Sequence, residues 1–187
     1  MKSSMKALVK KIIRMIFGDY GIYHIYTLDL KSSNLESSVA YNTKIQLITG
    51  ADIAASSDNL IQQQAWYAGD GSYAYGYIDN GRLIGVCFFW YGERYRKRNF
   101  WPLQPYQAKL VQIVSLPDCR GQGVAPALIN YSAARLSEQG FHQLFARIWH
   151  SNTSSVKAFS KAGWIRIAKV IEVNPLRLDR SWKIKFK

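Results

Sequence analysis

Apolar residues along this chain switch between a period near 3.6 and a period near 2, and each switch marks a predicted element. In residues 5–17, "MKALVKKIIRMIF", Met5, Leu8, Val9, Ile12 and Ile16 share a helical face while Lys6, Lys10 and Arg14 fall four apart on another, which predicts a basic amphipathic helix. "YGIYHIYTLDL" (20–30) is aromatic and β-branched and predicts a strand. Two helices are predicted near 35–49 and 57–67, the second opened by the capping residues Ser56, Ser57 and Asp58. Residues 72–91 form a predicted hairpin turning at Asp79-Asn80-Gly81. A basic, aromatic connection with Pro102 and Pro105 follows (92–107), then a strand (108–116). After Pro117 the period lengthens. Val124, Ala127, Leu128, Tyr131 and Leu136 predict a helix to about Gln139 that Gly140 stops. A strand (141–149), a short helix (152–163) closed by Gly163, a strand (164–173) and a shorter candidate strand in "SWKIKF" complete the chain.

Strands and helices in this order predict an α+β (mixed α/β) fold with a mixed sheet. At 187 residues the chain can bury one core, and it shows no repeat, low-complexity linker or domain boundary. The expected organisation is the basic helix over 1–18 and one domain over 19–187.

Charge changes the picture of partners and not of fold. With 25 basic and 12 acidic residues, the formal net charge is 25 − 12 = +13. The basic residues gather at the N-terminus, at Arg94, Arg96, Lys97 and Arg98, and at Arg177, Arg180, Lys183, Lys185 and Lys187. Nucleic acid, an anionic membrane met through the N-terminal helix, or a phosphorylated small molecule would each suit them; so would a merely solvated surface. Cys87 and Cys119 have neither zinc spacing nor a disulfide framework, so no metal is expected and a reducing compartment is the simpler reading. No apolar run approaches the roughly 20 residues that cross a bilayer. The basic start lacks a clear signal-peptide pattern. The expectation is a cytoplasmic protein whose basic N-terminal helix either docks its apolar face on the domain or a partner, the slightly favoured reading, or makes a peripheral contact with an anionic membrane.

The chemistry concentrates in "CRGQGVAPAL", residues 119–128, where two glycines stand between a strand and a helix. Such a turn aims backbone N–H groups and a helix N-terminus outward, which suits phosphate. A dinucleotide fingerprint needs a third glycine where Pro126 stands, and a Walker loop needs Lys-Ser/Thr where Val124 and Ala125 stand. Arg120-Gly121-Gln122-Gly123-Val124-Ala125 reads Arg-x-x-Gly-x-Ala, and Asn152, Ser155, Phe159 and Gly163-Trp164 follow on the next helix. These two patterns, in this order, resemble the GNAT superfamily of acyl-CoA-dependent N-acyltransferases over about 108–172. The resemblance implies a central, mostly antiparallel mixed sheet flanked by helices, with acetyl-CoA as cofactor. It also implies a pyrophosphate site at Arg120, Gly121, Gln122, Gly123, Val124, Ala125 and Pro126. Main-chain groups of Ile113, Val114 and Ser115 would hold the pantetheine arm and polarise the thioester carbonyl, with Asn152, Ser155 and Phe159 lining the path. On the residues alone, Asn152 is equally a helix cap and Phe159 a core aromatic.

The resemblance thins at the catalytic groups. Phe159 replaces the tyrosine that protonates the leaving thiolate in many relatives, and Arg147 stands where some carry a basic glutamate. His150, with a useful ordinary pKa, and Glu93 are the remaining candidates, although a lone histidine at a strand end is more often structural. Tyr91, Arg94, Tyr95, Arg96 and Trp101 would suit an anionic acceptor carrying a ring. The expected function is acetyl transfer by direct attack of a primary amine of a small molecule, such as a nucleotide-linked amino sugar. The alternative is a catalytically degenerate fold that binds acyl-CoA, nucleic acid or a membrane. A homodimer stays open.

Overall fold

A computed structural model describes residues 19–31, 43–96, 101–174 and 181–186. The basic helix expected over 1–18, the first part of the helix expected over 35–49, and Lys97, Arg98, Arg177, Arg180 and Lys187 lie outside the described residues.

The elements in chain order are β1 (Asp19–Asp29), β2 (Ile45–Leu47), α1 (Gly50–Ala54), α2 (Asn59–Gln62), β3 (Ser72–Asp79), β4 (Arg82–Trp90), α3 (Gly92–Arg96), β5 (Gln107–Ser115), α4 (Val124–Glu138), β6 (Gln143–Trp149), α5 (Thr153–Lys161), β7 (Ile165–Asn174) and β8 (Trp182–Phe186). One eight-stranded sheet runs β2-β3-β4-β5-β6-β1-β7-β8. Only β5 and β6 pair in parallel; every other neighbour is antiparallel. This is the mixed, mostly antiparallel sheet with flanking helices that the sequence predicted.

The hairpin turns as expected, with Asn80 and Gly81 both left-handed at φ 48° and 76°, the geometry of a two-residue type I′ turn. Two helix expectations are corrected. Residues 45–47 are a strand, because Ile45, Gln46 and Leu47 pair antiparallel with Tyr77, Gly76 and Tyr75 of β3. The helix there begins only at Gly50, where Thr49 and Asp52 form a reciprocal capping box. The helix expected over 57–67 is broken into α2 and a 3₁₀ turn at Ala65–Tyr67. The break seats the Tyr67 carbonyl as acceptor for Trp90 Nε1 (2.8 Å) and Ser72 Oγ (2.9 Å). Asp58 makes no side-chain cap to α2 and instead binds Arg82 at 2.9 Å. Residues 92–96 of the expected connection are helical.

Helix α4 lies across β3, β4 and β5 and presses its first turn directly onto the sheet. A Cβ at Gly85 would meet Val124 Cγ1 at 2.6 Å and Leu128 Cδ1 at 3.2 Å, so the bare backbone of β4 sets how deeply the helix start sits. Val124, Leu128, Ile129, Ala133 and Leu136 are buried there in one core with Cys87 and Phe89. Further along, Phe159 of α5 packs against Trp164 (4.9 Å between centroids) and Tyr26 of β1 (6.4 Å).

Candidate functional site

The site forms where two parallel strands part. Strand β5 pairs with β4 as far as Ser115, but with β6 only over Gln107–Leu110 against Gln143–Ala146. Beyond Leu110 the two strands diverge. A cavity of about 570 Å³ occupies the opening, lined by Lys109, Gln112, Ile113, Arg147 and Trp149 among others. It adjoins a second cavity of about 810 Å³ at the start of α4, and both are walled by Ile113, Asn152, Ser155 and Phe159.

The second cavity gathers the residues singled out in the sequence. Ile113, Val114, Ser115, Arg120, Gly121, Gly123, Val124, Ala125, Pro126, Asn152, Ser155 and Phe159 all line it; Gln122 does not, and donates instead to the Asp118 carbonyl at 3.1 Å. Gly121 and Gly123 are left-handed, at φ 78° and 82°, and nothing stands within 4 Å of where a Cβ would be. The glycines are therefore required by backbone conformation and not by crowding within the protein. No side chain caps the first turn of α4, which leaves its N–H groups directed at the cavity.

The loop is anchored from below. Arg82 binds Asp118 at 2.7 Å and Asp58 at 2.9 Å, tying the loop's approach to the α2 segment, and its guanidinium holds both carboxyls below the usual carboxylate range. Burial raises the Cys119 thiol and pushes Cys87 up to about 12, so neither supplies a thiolate near neutral pH. Asn152 caps α5, accepting from Ser155 N at 3.1 Å and Ser154 Oγ at 2.9 Å. Its cap role and its place on the cavity wall coexist. Phe159, 2% exposed, is likewise core and wall at once.

The expected catalytic groups are not brought to the cavities. His150 is exposed, with Nδ1 3.1 Å from the Ile22 carbonyl, and lines neither one. Glu93 sits on α3, paired with Arg96 at 2.6 Å in solvent. Within the basic, aromatic stretch, Arg94 and Tyr95 serve structure. Arg94 donates to the Trp66, Ala68 and Asp70 carbonyls and covers the Trp90 ring at 4.7 Å, while the Tyr95 hydroxyl, on a side chain 2% exposed, donates to the Trp101 carbonyl at 2.8 Å.

Of the groups that do face the opening, sequence reasoning noted Arg147 only in place of a glutamate and missed Lys109, Tyr67 and Gln112. Arg147 lies over Tyr23 and Trp149, 5.2 and 5.4 Å from their centroids. Lys109 is 1% exposed, with its ammonium 5.8 Å from the Tyr95 ring centroid. Tyr67 reaches the same cavity from the 3₁₀ turn, and Gln112 is steadied by Gln64 at 3.0 Å. A charge inside each apolar run, Lys109 in "AKLVQIVS" and Arg147 in "LFARIW", was the available signal. Among the described residues, no Asp, Glu or His lines either cavity.

A family model described as Acetyltransferase (GNAT) family matches residues 46–164. No curated protein matches the chain. Among solved structures, a GNAT-family acetyltransferase from Colwellia psychrerythraea is 18% identical with a TM-score of 0.60, covering 98% of this chain and 62% of that one. A GNAT-family protein from Novosphingobium aromaticivorans is 14% identical with a TM-score of 0.59, covering 84% and 65%. A GCN5-related N-acetyltransferase from Sphaerobacter thermophilus is 10% identical with a TM-score of 0.54, covering 88% and 54%. At these identities the likeness is one of fold, and the chain spans less than two thirds of the length of each of these three structures.

Proposed function

The chain belongs to the GNAT acetyltransferase family, and from that premise we propose that it transfers an acetyl group from acetyl-CoA to a primary amine of a small, negatively charged acceptor. One observation carries this reading: two left-handed glycines with open space around them lie at an uncapped helix start, on a cavity that continues into the gap between β5 and β6.

The residues fit coenzyme A. Backbone amides from Gly121 to Ala125, the N-terminus of α4 and the Arg120 guanidinium would bind its pyrophosphate, and Lys157 and Lys161 line the same cavity. Main-chain groups of Ile113, Val114 and Ser115 on the side facing β6 have no strand partner, and would hold the pantetheine arm as a neighbouring strand would. Bound, the cofactor supplies an acyl group activated as a thioester. The protein's part is to bind, orient and keep the amine neutral. With no carboxylate or imidazole on the walls among the described residues, Arg147 and Lys109 would do this indirectly, since a nearby cation lowers the pKa of an approaching ammonium. The same two cations favour an acceptor with its own negative charge, and the phosphates of a nucleotide-linked amino sugar meet that requirement. Cys87 and Cys119 stay protonated, which favours direct attack over an acyl-enzyme.

The bare catalytic walls also support a second reading, in which the fold binds acyl-CoA without turnover. Calorimetric titration with acetyl-CoA, followed by thiol release against a panel of amines and nucleotide-linked amino sugars, separates the two: binding with acceptor-stimulated release identifies the enzyme, and binding alone favours the second. In either case Gly123→Asp should weaken coenzyme A binding by more than about 100-fold through repulsion of phosphate. Gly123→Ala should cost only the left-handed strain, about 1 kcal/mol of stability. Normal binding by the Asp variant would overturn the loop assignment.

A further inference from the structure

The three outer strands of the sheet present two unlike faces. Opposed residues in an antiparallel sheet share a face, so register sorts β1, β7 and β8 into rows. On one side Tyr23 and Val170 are 0% and 1% exposed, buried with Ile25, Phe145 and Ala168 beneath Trp101 and Leu103. On the other side the rows are Tyr20–Val173–Trp182, Ile22–Ile171–Ile184 and His24–Lys169–Phe186. Tyr20, Trp182, Ile184 and Phe186 remain 41%, 65%, 53% and 47% exposed. Helix α5 reaches only the inner part of this face, where Phe159 meets Tyr26. The four side chains leave on the order of 400 Å² of exposed apolar surface, the size of the largest patch on a typical monomer, which is often functional.

Charge identifies the occupant. Lys169 sits in the third row, and Arg166, exposed, lies opposite Tyr26 on the same face. Glu172 opposes Gly21 and Lys183 in a row of the other face. The patch is thus apolar and cationic, with no carboxylate in its rows among the described residues. A second copy laid face to face would bring Lys169 and Arg166 against their equivalents between chains of net charge +13. Exposed Trp and Phe beside Lys and Arg match the boundary between lipid headgroups and acyl chains.

We propose that the β1–β7–β8 face docks on an anionic lipid bilayer, with Trp182, Ile184 and Phe186 entering the headgroup boundary and Lys169 and Arg166 meeting lipid phosphate. No helix among the described residues is long and apolar enough to cross a membrane. The docking is independent of the acyltransferase reading.

The test is co-sedimentation of the full chain with vesicles of phosphatidylcholine, alone or with phosphatidylglycerol. The wild type should pellet with the anionic vesicles and release as salt rises from about 0.1 M to 0.5 M. Replacing Trp182, Ile184 and Phe186 together by Ser should lower partitioning at least ~10-fold while the melting temperature and acetyl-CoA binding hold. Lys169→Glu, which leaves the apolar rows intact, should weaken binding to the anionic vesicles alone. Failure of the wild type to pellet overturns the proposal. So does equal pelleting of the triple variant, which moves the contact elsewhere, for example to residues 1–18. A triple variant that melts well below wild type points to cover by the chain itself. A dimer in analytical ultracentrifugation that the triple variant abolishes, without vesicle binding, points to a second copy.

Discussion

Gly85 is where the sheet admits the helix that begins the candidate loop, and filling it should cost stability and cofactor affinity together. Gly85→Ala places a methyl 2.6 Å from Val124 Cγ1, 3.2 Å from Leu128 Cδ1 and 3.3 Å from the Val114 carbonyl oxygen. The first distance is nearly 1 Å inside ordinary contact, and the third partner is backbone that cannot swing away. Overpacking of this kind costs about 1–3 kcal/mol. Taking about 2 kcal/mol, the melting temperature of a chain this size should fall by roughly 4–8 °C. Because the first turn of α4 must lift to relieve the clash, coenzyme A affinity should drop several-fold as well. Val124→Ala alone removes two buried methyls and should cost about 2 kcal/mol. Combined, the two changes compensate only in part, since the new methyl fills space the valine vacates but still meets Leu128 and the Val114 carbonyl. The double variant should lose about 2 kcal/mol instead of about 4, a coupling of about 2 kcal/mol. Urea unfolding and acetyl-CoA titration on all four proteins read both effects. A Gly85→Ala protein melting within about 1 °C of wild type, or a double variant with additive losses, would refute the packing argument.

Two further outcomes follow from the ion pairs and the opening. Asp58 and Asp118 are held below their usual pKa by Arg82, so the stability they add is complete above the unfolded value of about 3.9 and is lost as pH falls through the lower folded values. Arg82→Met should therefore melt below wild type at pH 7, with the gap closing toward pH 2; a gap independent of pH would show that the ion pairs do not contribute. Arg147→Met should raise the KM of an anionic acceptor several-fold while leaving the Kd of acetyl-CoA unchanged. Parallel loss of both would make Arg147 part of the cofactor site instead.

What the sequence disclosed follows from how local each signal is. The hairpin at Asn80-Gly81, α4 with its stop at Gly140, and α5 closed by Gly163 were legible because turn chemistry and periodicity lie within a few residues. The glycine loop was legible for the same reason: its backbone demands two left-handed residues in three. Strand β2 was not, since three residues give no period and only pairing with β3 defines them. The opening's polar set was not legible because Tyr67, Lys109 and Arg147 come from a turn and two strands that no local pattern joins. His150 had the right chemistry for a base, but its imidazole is engaged with the backbone of β1, a strand whose place in the sheet no spacing reveals.

That place explains why the cleft opens. Strand β6 has two neighbours, and it pairs with β1 over all seven residues from Gln143 to Trp149 but with β5 over only four. Strand β5 in turn stays with β4 to its last residue, Ser115. Each strand past Leu110 and Ala146 therefore follows the partner with which it shares the longer ladder, and the two are drawn apart between them. One wall of the cleft belongs to the hairpin sheet that the family pattern describes. The other is held by β1, which ends at Asp29, ahead of the matched residues 46–164, and sits between β6 and β7. The motif residues build the loop, but the gap beside Arg147 is set by a strand that carries none of them.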